Sequence, residues 1–130
     1  MIRELQVKTA SREEFKDITR EVAKAVEISN IKDGVCYVFV PHTTAGVTIN
    51  ENADPSVTKD ILRKLKELVP RDDGYEHSEG NSDSHIKASM VGFCQTVLVE
   101  NGKLVLGVWQ GIYFCEFDGP RDRKVIIKIK

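Results

Sequence analysis

No charge of one sign dominates this chain. Its 19 Lys and Arg against 20 Asp and Glu leave a net charge of -1. That balance excludes the basic footprint by which nucleic-acid and membrane-surface binders are recognised, so any anionic ligand has to be held locally. No apolar run is long enough to span a bilayer, and Met1-Ile2-Arg3-Glu4 leads straight into alternation instead of an apolar signal core. Cysteine is scarce: Cys36, Cys94 and Cys115 are an odd number, sit in apolar surroundings and lack metal-type CxxC spacing. The expectation is a reduced, cytoplasmic protein whose buried thiols are inert packing groups. There is no Gly-x-Ser-x-Gly elbow, no Walker sequence, no dinucleotide fingerprint, no internal repeat and no low-complexity tract, which removes several common enzyme classes.

What is present is the material of one domain. At 130 residues and 41% hydrophobic content, residues 1–130 are expected to fold around a single core without metal or disulfide staples. Leu5 and Val7 alternate with Glu4, Gln6 and Lys8 as a strand does. Ser11 and Glu14 have capping-box spacing, and Phe15, Ile18, Val22 and Ala25 follow at helical intervals. Val35 to Val40 is apolar on both faces and predicts a central strand covered on each side. Val47 to Asn50 resumes as strand. Asp54-Pro55 then caps a second amphipathic helix marked by Val57, Ile61, Leu65 and Leu68 and closed by Pro70. Residues 71 to 84 carry almost no large apolar side chain and predict a long loop. From Ile86 the pattern predicts strands: 95 to 100 and 103 to 106 around the Asn101-Gly102 hairpin signal, 108 to 117, and a last segment in which Val125, Ile127 and Ile129 alternate with lysines. Two helices against mostly antiparallel strands predict an α+β, β-sandwich fold.

All three histidines fall in two polar blocks, Pro41-His42-Thr43-Thr44 and the stretch from His77 to His85. Taken singly, a loop histidine is more simply read as solvated or as a cap for backbone groups. Together, His42, His77 and His85 supply the three ligands of a catalytic metal site with one open position. Glu79 and Asp83 are then further ligands, orienting partners or a general base, or else turn and capping residues before Ile86. Thr43 and Thr44, followed by Gly46, offer hydroxyls and N–H groups for a small anion-binding concavity. Arg121 and Arg123 offer bidentate anion contacts, or stand as solvated turn charges. A carboxylate inside Phe114-Cys115-Glu116-Phe117 is expensive to bury unpaired and should find an arginine, a metal or a cationic substrate; Asp118 follows at the strand end. Trp109 and Tyr113 are read as core before ring-stacking groups.

Pro41 to Pro55, His77 to Ser89, and Trp109-Gln110-Gly111-Ile112-Tyr113 through Glu116-Phe117-Asp118-Gly119-Pro120-Arg121 together resemble the YjbQ-like family, described as secondary thiamine-phosphate synthases. The resemblance covers nearly the whole chain. It implies a β-sandwich with flanking helices, a homotrimer with the histidine motifs near a subunit interface, and a weak or secondary synthase activity on small phosphorylated substrates. Under that resemblance His42, His77 and His85 hold a divalent cation, with zinc or manganese favoured by imidazole ligands and magnesium possible. Thr43, Thr44, Asn81, Gln110 and Arg121 bind substrate, and Glu79, Asp83, Glu116 and Asp118 are the catalytic carboxylates. Two other readings stay open: a metal-dependent hydrolase using Glu79 or Asp83 as base, and a non-catalytic metal- or ligand-binding trimer.

Overall fold

In the computed structural model, which describes residues 2–130, the chain runs β1 (Ile2–Lys8), β2 (Glu14–Asp17), α1 (Thr19–Ser29), β3 (Gly34–Phe39), β4 (Ala45–Glu51), α2 (Pro55–Leu68), α3 (Ser82–Val91), β5 (Cys94–Glu100), β6 (Lys103–Leu104), β7 (Gln110–Glu116) and β8 (Asp122–Ile129). The strands form a five-stranded sheet ordered β1-β8-β3-β5-β6 and a three-stranded sheet ordered β2-β7-β4. Every pairing is antiparallel. The α+β sandwich expected from the pattern is therefore the observed class. No helix among the described residues is long and apolar enough to cross a membrane.

The core lies between the sheets because the period-2 rows of both turn inward there. Cys36, Val38 and Val40 face Ala45, Val47, Ile112 and Phe114, joined by Val97, Val99, Val125, Ile127 and Ile129. Helix α1 packs against β6, β7 and β8, so it touches both sheets and adds Val22, Ala25 and Val26 to the same core. The opposite face of the three-stranded sheet carries Tyr113, Cys115 and Phe117, which Leu62, Leu65, Ala88 and Val91 of α2 and α3 cover. Consequently β7, buried from Gly111 onward, is the strand covered on both sides. Strand β3 is central in its sheet, but Val35 and Tyr37 are half-buried and Phe39 is exposed on its outer face. The covered-strand expectation thus belongs to β7, while Tyr113 lies in the core as expected and Trp109 stands out in solvent.

Two helical expectations are corrected. The segment with capping-box spacing is strand β2, pairing Phe15 with Cys115 along the edge of β7. Glu14 reaches back to the N–H groups of Ala10 and Ser11 as a capping glutamate does, yet no helix follows until Thr19. Pairing an open strand edge outweighs the local signal. Conversely, α3 is a third helix where loop and strand were expected. Its buried face is Asp83, Ser84, Lys87 and Ala88, so it has almost no hydrophobic periodicity to read. Helix α2 starts as predicted, with Asp54 accepting from the Ser56 N–H at 2.9 Å. Its apolar stripe is only half-buried, and Leu68 is exposed. Asn101 and Gly102 both have positive φ, 53° and 73°, as the type I′ hairpin requires.

Gly46 does not form the anion concavity suggested by its place after Thr44. A Cβ there would lie 2.5 Å from the carbonyl oxygen of Gly92 and 3.3 Å from Val91 Cγ1. The absence of a side chain lets the end of α3 close on β4, where the Val47 N–H donates to the same carbonyl at 3.0 Å. Gly46→Ala should therefore cost about 1–3 kcal/mol through overpacking. It should appear as a lower urea midpoint with unchanged slope; wild-type stability would show that this helix end is free to move.

Candidate functional site

Several elements converge at one end of the sandwich. The inward row of β3 runs Cys36, Val38, Val40 and continues beyond the strand to His42. Glu116 extends the inward row of β7 after Ile112 and Phe114, and Arg123 begins the inward row of β8 before Val125. The loop before α3 brings His77 and Glu79, and the start of α3 brings Asn81 and His85. Together Pro41, His42, Thr43, Thr44, His77, Glu79, Asn81, His85, Asp118, Arg121 and Arg123 line one open cleft of about 500 Å³. The whole histidine supply of the chain thus meets in one place, from segments about 35 residues apart.

The floor of the cleft is built on a buried ion pair. Arg123 donates from Nε to Glu116 Oε1 at 3.0 Å and from the same nitrogen to Oε2 at 3.2 Å, and its Nη2 adds a salt bridge to Oε2. Nη2 also donates to Thr44 Oγ1 at 2.8 Å, while Thr9 Oγ1 donates to Glu116 Oε1 at 2.7 Å. Glu116 is fully buried and Arg123 is 6% exposed. The carboxylate expected to find an arginine, a metal or a cationic substrate has found Arg123, and it lies behind the cleft wall instead of on it. Arg123 was absent from the binding set that the resemblance implied. The alternation of Val125, Ile127 and Ile129, extended back by one step, is the signal that places it inward.

Asp118 ties the rim. Its Oδ2 accepts from Asn81 Nδ2 at 2.8 Å and from Arg121 Nη2 at 3.0 Å, and Arg121 Nε donates to its main-chain oxygen at 2.7 Å. Burial pushes this carboxyl up, but the hydrogen bonds from Asn81 and Arg121 and the arginine charges outweigh it, so the group is held below its ordinary value and stays ionised. His77 and His85 meet edge to face with ring centres 5.5 Å apart, and His77 Nε2 is 3.9 Å from Glu79 Oε2. His42 is different: its Nε2 accepts the main-chain N–H of Lys124 at 3.0 Å. Burial and the charge of Arg123 lower its pKa and favour the neutral ring.

The histidines share a cleft without forming a ligand set. Among the described residues no group of three or more His, Cys, Asp or Glu side chains is placed to hold a metal ion. The Nε2 lone pair of His42 is already spent on Lys124, so the residues as arranged do not fit the three-ligand centre expected for zinc or manganese. The cysteines offer no alternative: burial raises the thiol of Cys36 to about 11 and that of Cys115 higher still, while Cys94 lies alone on the surface.

Two expected site residues lie elsewhere. Gln110 opens β7 at the far end from Glu116, where its Oε1 accepts the Gly107 N–H at 2.8 Å. Asp83 is fully buried on the other side of α3, bridged by Lys87 Nζ at 3.1 Å and by the Arg12 fork at 3.1 and 3.2 Å. Lys87 also reaches Glu13 Oε1 at 3.1 Å. Burial pushes the Asp83 carboxyl up, but its hydrogen bonds from Arg12 and Lys87 win and hold it below the ordinary 3.8. A carboxyl with a depressed folded pKa contributes stability that is complete above 3.8 and is lost as pH falls through the folded value. Asp83→Asn should therefore unfold more easily at neutral pH, by about 3–5 kcal/mol for a broken buried pair. Denaturation below pH 3.8 should show a shallower further loss than in wild type; a variant of unchanged stability would show that the network with Arg12 and Lys87 does not hold this helix.

These features can be set beside known proteins. Residues 3–130 match the family model described as UPF0047 protein YjbQ-like. A UPF0047 protein of Methanocaldococcus jannaschii is 54% identical over 129 residues, covering 99% of this chain and 94% of its own. UPF0047 protein YugU of Bacillus subtilis is 54% identical over 130 residues, covering 99% and 98%. The crystal structure of an uncharacterized YjbQ/UPF0047 protein from Clostridium acetobutylicum superposes with a TM-score of 0.96 at 59% identity, covering 98% of each chain. A YbjQ-like protein of unknown function from Sulfolobus solfataricus gives 0.95 at 37% identity, covering 99% of this chain and 95% of its own. Sequence match over nearly the full length and agreement of the two-sheet fold lead to one conclusion: the chain belongs to the YjbQ-like UPF0047 family.

Proposed function

We propose that the cleft binds a small phosphorylated substrate and supports a transfer of the thiamine-phosphate-synthase type. The observation that carries this reading is the meeting of three histidines, two arginines and the Thr43-Thr44 pair in one cleft of a chain with no net basic surface. In the reaction, the bond between the methylene carbon of a hydroxymethylpyrimidine diphosphate and its diphosphate oxygen breaks, and the electron pair leaves on pyrophosphate. The ring nitrogen of a thiazole phosphate supplies the pair that forms the new carbon–nitrogen bond and becomes cationic. Negative charge grows on the leaving group, where the guanidinium groups of Arg121 and Arg123 are the available donors. Asp118, held ionised, is the group suited to the cationic ring nitrogen. The homotrimer belongs to the same proposal: Phe39, Leu98, Val108 and Trp109 are exposed apolar groups available to subunit contacts. Sedimentation should then give three chain masses.

The test is to incubate the protein with both precursors and follow pyrophosphate and thiamine phosphate together. Release of pyrophosphate should depend on the thiazole acceptor, and added pyrophosphate should inhibit. Arg121→Ala should weaken that inhibition about tenfold, the worth of one charge-assisted contact. Unchanged inhibition would remove Arg121 from the site. Pyrophosphate release without the acceptor would instead establish a hydrolase.

A further inference from the structure

The cleft floor holds two donors that the protein itself leaves unused. Arg123 is 6% exposed, and its Nε and Nη2 are taken up by Glu116 and Thr44. No group among the described residues takes up its Nη1, which is not among the occluded unpaired atoms. The guanidinium is held in place from behind while one amino group remains open to the cleft for a ligand.

His42 presents the same asymmetry. Because its Nε2 accepts the Lys124 N–H at 3.0 Å, that nitrogen carries no proton, and the single proton of the neutral ring sits on Nδ1. Nδ1 has no partner among the described residues and is not occluded. The backbone of β8 therefore sets both groups: Arg123 through its side chain and Lys124 through its N–H. His42 and Arg123 both line the cleft, where burial and the charge of Arg123 lower the pKa of the imidazole.

We infer that His42 Nδ1–H and the free Nη1 of Arg123 form a two-point donor floor for one oxyanion group of the substrate, with His42 a fixed-tautomer donor and not a metal ligand. The ligand class is a phosphoryl or diphosphoryl group. Glu116 is then a positioning residue, holding the guanidinium plane while its own oxygens are used up by Arg123, Thr9 and the Asp118 N–H. This inference rests on the phosphorylated-substrate reading and adds which atoms hold the oxyanion and in which protonation form.

The experiment uses the full chain and inorganic pyrophosphate as probe. Calorimetric titration is carried out once with a chelator and once with added zinc, on wild type, His42→Ala and His42→Asn. The Asn side chain places an amide at the position of Nδ1 and keeps a donor there. His42 lies at the surface end of β3 and its bond to Lys124 is exposed, so these variants should fold. Long-range proton–nitrogen correlation spectra of imidazole-labelled wild type report the tautomer. The expected result is a proton on Nδ1, equal affinity with chelator and with zinc, a roughly tenfold loss in His42→Ala, and a loss of no more than about threefold in His42→Asn. A proton on Nε2, binding that appears only with zinc, or His42→Asn as weak as His42→Ala would overturn the inference while leaving a phosphate-binding cleft. Absence of pyrophosphate binding under both conditions would overturn it together with the phosphorylated-substrate reading.

Discussion

The arrangement depends on placing a charge inside a β-sandwich and satisfying it there. Glu116 and Arg123 occupy positions that the pleat turns inward, at the end of rows otherwise made of Ile, Val and Phe. Each would be intolerable alone; as a fork-to-carboxylate pair with Thr9 and Thr44 they close a hydrogen-bonded unit between the sheets. The unit joins β7 of one sheet to β8 of the other at the point where the hydrophobic core ends and the cleft begins. Core and site therefore share a boundary made of one ion pair.

A second ion network stands on the other side of α3. Asp83, Lys87, Arg12 and Glu13 hold the helix to the bend before β2 by charge instead of by apolar packing. Along this helix, Asp83, Ser84 and Lys87 turn inward, whereas Asn81 and His85 turn to the cleft. The same short helix thus anchors itself with one polar face and presents Asn81 and His85 to the cleft with the other.

What was legible in the sequence follows from this division. The strands of the sandwich could be read because their rows alternate Val and Ile with charged residues, and the hairpin because Asn101-Gly102 has few alternatives. The histidine blocks, which the fold brings to one cleft, could be grouped because polar residues without apolar spacing have no core role. Helix α3 could not be read, since its buried face is charged and hydrophobic periodicity is blind to ion pairs. The strand at Glu14–Asp17 was hidden because Phe15 and Ile18 serve two different clusters, a division that helical spacing mimics. Asp83 shows the limit of reading a carboxylate from its neighbours: near two histidines in sequence, it is turned away by one helical step and spent on Lys87. Gln110 lies away from this cleft for a related reason, because a strand carries its two ends about 20 Å apart over six or seven residues.

Strand β7 is covered on both faces, and the cleft inherits stiffness unevenly from it. Asp118 stands two residues beyond a strand locked between two packed layers, and Arg123 is clamped by a carboxylate that cannot move. His77 and Glu79 hang from an exposed segment tied down by little more than the bond from the Tyr75 hydroxyl to the Pro70 carbonyl at 2.7 Å. One wall is thus held between packed layers and the other by few contacts. Substitutions in the stretch from 71 to 80 can reshape that wall of the cleft without disturbing the sandwich, while Arg123 stays as fixed as the core that carries it. A cleft so divided can vary one wall freely while the other is bound to the sequence of the core.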